Sequence, residues 1–235
     1  MKDPTVGIPL YPGFDSLDVL GPYQTFTFAG MKRYLLAETL DLVTSFEGVS
    51  IKPDQTFEGC PPLDLLFVPG GSDPVGMLLK GHPGNNAYLD FLSAKAKEVK
   101  LVCSVCNGAL LLAGAGLLDG HTATTHWAFR EVLELFPCQV AEGYPRYVRS
   151  GTRITGGGIS SGLDLAMYIV SELYGEDTAR MGQLFMQYHP EPMFHCGDPA
   201  DSQTTPEMVS GALERWQIAD ARKTVSKWLG KRPRE

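Results

Sequence analysis

Several things are scarce in this 235-residue chain, and each scarcity removes a class of function. No apolar run approaches the roughly 20 residues that a helix needs to cross a bilayer, so no membrane partner is expected. The N-terminus, "MKDPTVGIPLYPG", breaks on Pro and Gly before the apolar stretch of a secretory signal can develop. Positive charge is in deficit: 20 Lys and Arg stand against 27 Asp and Glu, a net charge of -7. Nucleic acids and anionic surfaces call for dense Lys/Arg, so no nucleic-acid partner is expected either. The one basic cluster, the terminal "KWLGKRPRE", reads as a solvated tail. Cysteines number five, an odd count with no disulfide-framework spacing for a chain of this length. Free thiols in a reducing, cytoplasmic compartment are the expectation.

What is present is an alternation of strand and helix patterns. "TVGIPLY", "RYLLAET", "PLDLLFVPGG" and "VKLVCSV" are short apolar runs ended by turn residues, the pattern of buried strands. "SLDVLGPYQTFTFAG" has helical spacing, with Gly21-Pro22 expected to kink or interrupt it. "EGVSIKPDQTF" predicts a β-excursion, and "RYVRSGTRITGGG" a hairpin around Ser150-Gly151. "NAYLDFLSAKAKE", "NGALLLAGAGLLDG", "SSGLDLAMYIVSELYG" and "EDTARMGQLFMQY" predict helices, as does "TATTHWAFREVLELF" with a Thr as its N-cap. The alternation predicts an α/β fold with a mainly parallel sheet and helices on both faces. We divide the chain into an α/β domain over 1–200 and a helical extension over 201–235. The extension carries apolar Val209, Leu213, Trp216 and Trp228, and is expected to dock on the core or on a second subunit.

The stretch "KLVCSVCNGALLLAGAG" holds Cys103 and Cys106 three residues apart. A thioredoxin-like redox pair would start at a helix N-terminus, whereas here the helix pattern begins only after Cys106. Zinc would need a second pair or histidine partners, and no second C-x-x-C exists, so no metal is expected. The arrangement favours a nucleophile elbow. Cys106 sits on the strand-to-helix turn, with Ser104 and Gly108 small at minus two and plus two because the tight turn leaves no room for bulk. The helix N-terminus beneath it is expected to lower the thiol pKa and favour covalent catalysis. Cys103 reads as a buried strand residue.

Such a nucleophile needs donors and an acid nearby. "FVPGG" ends a neighbouring strand, and the Gly71 and Asn107 backbone N–H groups are candidate oxyanion donors, with Gly70 beside them. Asp18 lies between Leu17 and Val19, where burial would disfavour its charge and suit it to acid–base work. A helix-cap role competes for it, although Asp15 is the better cap. His126 in "TTHW" and Gly157 in "ITGGG" are candidate pocket residues, His189 and His195 carry weaker claims, and Asp164 stands in the first turn of a helix, where the dipole accounts for a carboxylate.

The ordered set "LDVLGP", "LLFVPGG", "VCSVCNGALLLAGAGLLDG", "ATTHW" and "ITGGGISSGLDLA" resembles the ThiJ/PfpI superfamily, of the class I glutamine amidotransferase-like kind. Within it the chain is most similar to the isonitrile hydratase branch, over roughly residues 5–200. The resemblance implies a flavodoxin-like three-layer sandwich and a homodimer. It also implies a small-molecule substrate and no cofactor. Cys106 would be the nucleophile, Asp18 the acid that hydrogen-bonds it, and the reaction the addition of water to R–N≡C to give an N-substituted formamide. Two departures stand out. Asn107 follows the nucleophile where protease-like members carry His and hydratases usually Thr, so a Cys–His dyad is absent. The end of the chain also runs past the usual family boundary, although its roughly 35 residues are too few for a DNA-binding helix-turn-helix domain. Glyoxalase-like chemistry on small α-oxoaldehydes, and a non-enzymatic thiol-based stress sensor oxidised at Cys106, are the competing readings.

Overall fold

A computed structural model describes residues 4–82 and 84–231; the first three residues and the basic end of the tail lie outside the described residues. The chain opens with β1 (Thr5–Pro9), α1 (Ser16–Phe28) and β2 (Lys32–Ala37). The β-excursion follows as β3 (Val43–Thr44), β4 (Ser50–Ile51) and β5 (Gln55–Thr56), then β6 (Leu65–Val68), α2 (Pro74–Leu79), α3 (Ala87–Lys95) and β7 (Leu101–Ser104). After the elbow come α4 (Gly108–Gly114), β8 (Thr122–Ala123), a 3-10 turn (Trp127–Phe129), α5 (Arg130–Leu133) and β9 (Gln139–Val140). The hairpin β10 (Tyr147–Ser150) and β11 (Arg153–Gly156) leads to α6 (Ser161–Tyr174) and α7 (Glu176–Phe185), and α8 (Pro206–Arg215) and α9 (Ile218–Leu229) close the chain.

The main sheet has seven strands in the order β10-β11-β7-β6-β1-β2-β5. Every pairing in it is parallel except β10 with β11. Strands β1, β6 and β7 are buried along their whole length, which is why they read as unbroken apolar runs rather than alternating ones. Helices flank the sheet: α1, α6 and α7 pack on one another, and α4 packs with α2, α3 and α5. This is the flavodoxin-like α/β sandwich.

Four local expectations are corrected. Helix α1 runs uninterrupted through Pro22. Gly21 and Pro22 press against Leu163 and Gly162 of α6, so close that a Cβ on Gly21 would lie 3.3 Å from Leu163 and one on Gly162 would lie 3.4 Å from Pro22. That packing holds the helix across the proline. Helix α4 ends at Gly114, well short of Gly120, with Gly116 at φ +74° beyond it. In "TATTHW" the cap of the 3-10 turn is His126, whose ring accepts from the Ala128 N–H, while Thr122–Ala123 is a strand. The final helical segment is two helices, divided at Gln217, which is left-handed at φ +50°. Helix α9 packs on α2 and α5 of the same chain and buries Ile218, Val225 and Trp228.

Candidate active site

The site lies where β1, β6 and β7 end. Leaving β7, the chain passes Val105, whose N–H donates to Val68 O at 3.0 Å, and turns at Cys106. Cys106 has φ +57°, a left-handed conformation that costs a side-chain-bearing residue roughly 1–2 kcal/mol. The surroundings hold it there. Its N–H donates to Gly157 O at 2.7 Å, and its carbonyl accepts from Thr125 Oγ1 at 2.9 Å and the His126 N–H at 3.3 Å. Gly108 has to be glycine, because a Cβ there would lie 2.6 Å from Val68 O and 2.7 Å from Pro69 O.

Asp18 comes from the first turn of α1, aimed inward because Asp15 caps that helix, its Oδ1 accepting from the Leu17 and Asp18 N–H groups at 3.0 and 3.3 Å. Asp18 is fully buried, and its Oδ2 accepts the Gly70 N–H at 2.7 Å. Its other oxygen, Oδ1, meets no geometrically satisfactory hydrogen bond among the described residues, although the Cys106 thiol is near enough to influence the carboxyl's ionisation by hydrogen bonding. Burial holds the carboxyl well above the usual carboxylate range; the Asp15 charge adds to this, and the Gly70 N–H works against it. Burial thus favours the protonated form of Asp18, the form that can give up a proton.

Two sequence expectations change here. The helix N-terminus does not leave Cys106 with a lowered pKa. Burial of the thiol is the largest influence and pushes it up, the Asp18 carboxylate adds to that, and the Asn107 and Ile159 N–H groups only partly offset them. The second concerns Gly71. Its N–H does not face the thiol but donates to Asn107 Oδ1 at 2.9 Å, while Asn107 Nδ2 donates to Gly71 O at 2.8 Å. The Asn107 side chain is thus a clamp that ties the Pro69-Gly70-Gly71 loop to the elbow. A Cβ on Gly70 would lie 2.5 Å from Asn107 Oδ1 and 2.9 Å from Asp18 Oδ2, which explains the glycine there. The backbone N–H groups that favour the charged form of the sulfur are those of Asn107 and Ile159. Ile159 escaped sequence reasoning because it contributes a backbone group, for which its side chain gives no signal.

A cavity of about 430 Å³ opens over the strip that wraps Cys106. Thr125, His126 and Gly157, which hydrogen-bond the Cys106 backbone, line it together with Gly158 and Ile159, while Cys106 itself is 5% exposed and is not among the lining residues. The rest of its wall includes Leu17, Trp127, Tyr144, Arg146, Asp198 and Asp201. Burial pushes the His126 pKa down to about 4, so its ring is neutral, and its Nδ1 accepts the Ala128 N–H at 3.2 Å. Arg146 is held by Asp164 and Ser160, and Asp164 also accepts from the Tyr188 hydroxyl. Cys103 is buried in β7, and its thiol too is driven above the usual range by burial. Among the described residues, no group of three or more His, Cys, Asp or Glu side chains is placed to hold a metal ion.

Comparison with known proteins places these features in context. The model of the DJ-1/PfpI family matches residues 4–172. The isonitrile hydratase of Pseudomonas putida is 40% identical over 205 residues, covering 87% of this chain and 86% of that protein. The crystal structure of a ThiJ/PfpI family protein from Pseudomonas syringae superposes with a TM-score of 0.87 at 35% identity, covering 98% of this chain and 92% of that one. The helices beyond residue 172 therefore have counterparts in that protein. Drosophila melanogaster DJ-1beta, at 19% identity and a TM-score of 0.70 over 79% of this chain and 98% of its own, shares the fold.

Proposed function

The chain belongs to the DJ-1/PfpI family, and on that premise we propose that it is a cysteine-dependent lyase that adds water to isonitriles and releases N-substituted formamides. The observation that carries this reading is the fully buried Asp18 carboxyl, held by the Gly70 N–H at 2.7 Å, beside the thiol of the left-handed Cys106 elbow. An isonitrile carbon has to gain both a nucleophile and a proton, and this pair supplies them.

Cys106 Sγ attacks the terminal carbon and a C–S bond forms. Asp18 gives its proton to that carbon and takes up the thiol's, leaving a thioimidate, R–N=CH–S–Cys. Water then adds to the same carbon, one of its protons going to nitrogen. The tetrahedral R–NH–CH(OH)–S–Cys collapses, the C–S bond breaks, and the hydroxyl proton returns to sulfur through Asp18. Thiol and acid are restored, and R–NH–CHO leaves. The Asn107 and Ile159 N–H groups stabilise negative charge on sulfur whenever it is not bonded to carbon or hydrogen. Neither step draws on a cofactor.

The test is formamide production from a simple alkyl isonitrile, followed by NMR, with wild type and Cys106→Ala. Turnover by wild type alone supports the hydratase. No turnover by either, with methylglyoxal consumed only by wild type, would point instead to glyoxalase-like chemistry. The five free cysteines favour a reducing, cytoplasmic setting. A homodimer is supported by the apolar face of α7, where Met181, Leu184 and Phe185 are 62%, 75% and 71% exposed beside Phe28.

A further inference from the structure

The cavity over Cys106 is finished by residues far along the chain. The segment carrying Gly197, Asp198 and Asp201 forms part of its wall. Trp216, at the C-terminal end of α8, stands beside His126 of that wall. Its ring lies 6.2 Å from that of His126 and 5.8 Å from that of Phe129, edge-on to the latter. The left-handed turn at Gln217 separates α8 from α9, and α9 is anchored in the core by Val225 and Trp228. Trp216 thus sits at the junction of α8 with the anchored α9.

His126 is the side chain that Trp216 backs. Its Nδ1 is used as an acceptor by the Ala128 N–H, so in the neutral ring the proton sits on Nε2. The Cδ2–Nε2 edge faces Gly158 of the cavity: a Cβ there would lie 2.8 Å from Cδ2 and 3.4 Å from Nε2. Among the described residues no protein acceptor takes the Nε2 proton. The Asp198 and Asp201 carboxyls, each accepting backbone N–H groups of its own loop, line the same cavity, as does Arg146, which pairs with Asp164.

We propose that Trp216 is a positioning residue for substrate selection: it holds His126 so that its Nε2–H meets a neutral hydrogen-bond acceptor, such as an ester or ether oxygen, on the substituent of the isonitrile. The substrate class rests on the hydratase reading; the role of Trp216 in shaping the cavity does not.

The experiment uses the full chain as wild type, Trp216→Ala and Trp216→Phe, with two readouts. The first is the rate of Cys106 modification by small iodoacetamide and by bulky N-benzylmaleimide. Trp216→Ala is expected to raise the bulky-to-small rate ratio about five- to tenfold, the worth of a lost aromatic contact, and Trp216→Phe to restore it. The second is turnover of a plain alkyl isonitrile against an isocyanoacetate ester. Trp216→Ala should raise KM for the ester about five- to tenfold, with kcat and the plain substrate little changed. An unchanged rate ratio, or a change that Phe does not rescue, overturns the role of Trp216 whatever the turnover. Absence of isonitrile turnover by wild type overturns the hydratase reading while the alkylation ratio still decides on Trp216. Equal KM shifts for both isonitriles overturn the assigned contact to the acceptor.

Discussion

Asp18 is a buried carboxyl whose strongest charged neighbours, Asp15 and Glu47, are themselves acidic. Its raised pKa means that the folded state holds its proton where the unfolded chain has released it. The stability this contributes is full below the unfolded value of about 4 and is lost as pH rises toward the folded pKa. Asp18→Asn does not titrate and keeps an acceptor for the Gly70 N–H. Its melting temperature relative to wild type should therefore climb with pH above about 4, read by thermal melts, while turnover falls at least about 100-fold. His126 behaves with the opposite sign. Its pKa is pushed down to about 4, so its contribution is full above the unfolded value near 6.5 and lost as pH falls through that window. His126→Gln should flatten the acid side of the stability profile. Asn107→Ala removes both hydrogen bonds to Gly71 and should cost about 1–3 kcal/mol in a denaturant titration. It should also lower turnover, because Gly70, which positions Asp18, belongs to the freed loop.

At the scale of elements, local pattern and tertiary packing divide the work. The buried strands were legible as apolar runs, and the hairpin turn as Ser150-Gly151, where Gly151 takes φ +63°. The Asp15 cap was legible from residue type alone. The unbroken course of α1 through Pro22 was not, since proline's local cost is outweighed by contacts with α6, over a hundred residues away. The break at Gln217 was equally hidden, because glutamine has no preference for a left-handed turn. Helix α9 is held by Trp228, which is 5% exposed and lies 3.8 Å from where a Gly114 Cβ would be. Trp228→Ala should destabilise the protein by about 3–5 kcal/mol in denaturant unfolding, a cavity effect. Gln217→Gly, which suits positive φ, should leave stability close to wild type.

For the whole molecule, charge opposes association while an exposed apolar face favours it. A net charge of -7 keeps copies apart, yet α7 and Phe28 expose an apolar face. If that face joins two copies, Phe185→Asp should shift the sedimenting species from dimer to monomer while the Cys106 alkylation rate stays near wild type. A dimer that survives the substitution would place the interface elsewhere.

Composition, strand runs and small residues around Cys106 determined the fold class and singled out Cys106 as the proposed nucleophile, because those features act through local geometry and burial. The same chain left open what Asn107 does, where the thiol's pKa lies, which N–H groups favour charge on the sulfur and what completes the pocket. Each depends on groups brought together from distant parts of the chain. Asn107 reaches the loop after β6, Ile159 offers a backbone N–H, and Trp216 backs a histidine ninety residues earlier. The thiol's pKa turns on how deeply the assembled fold buries it, and only tertiary packing decides that.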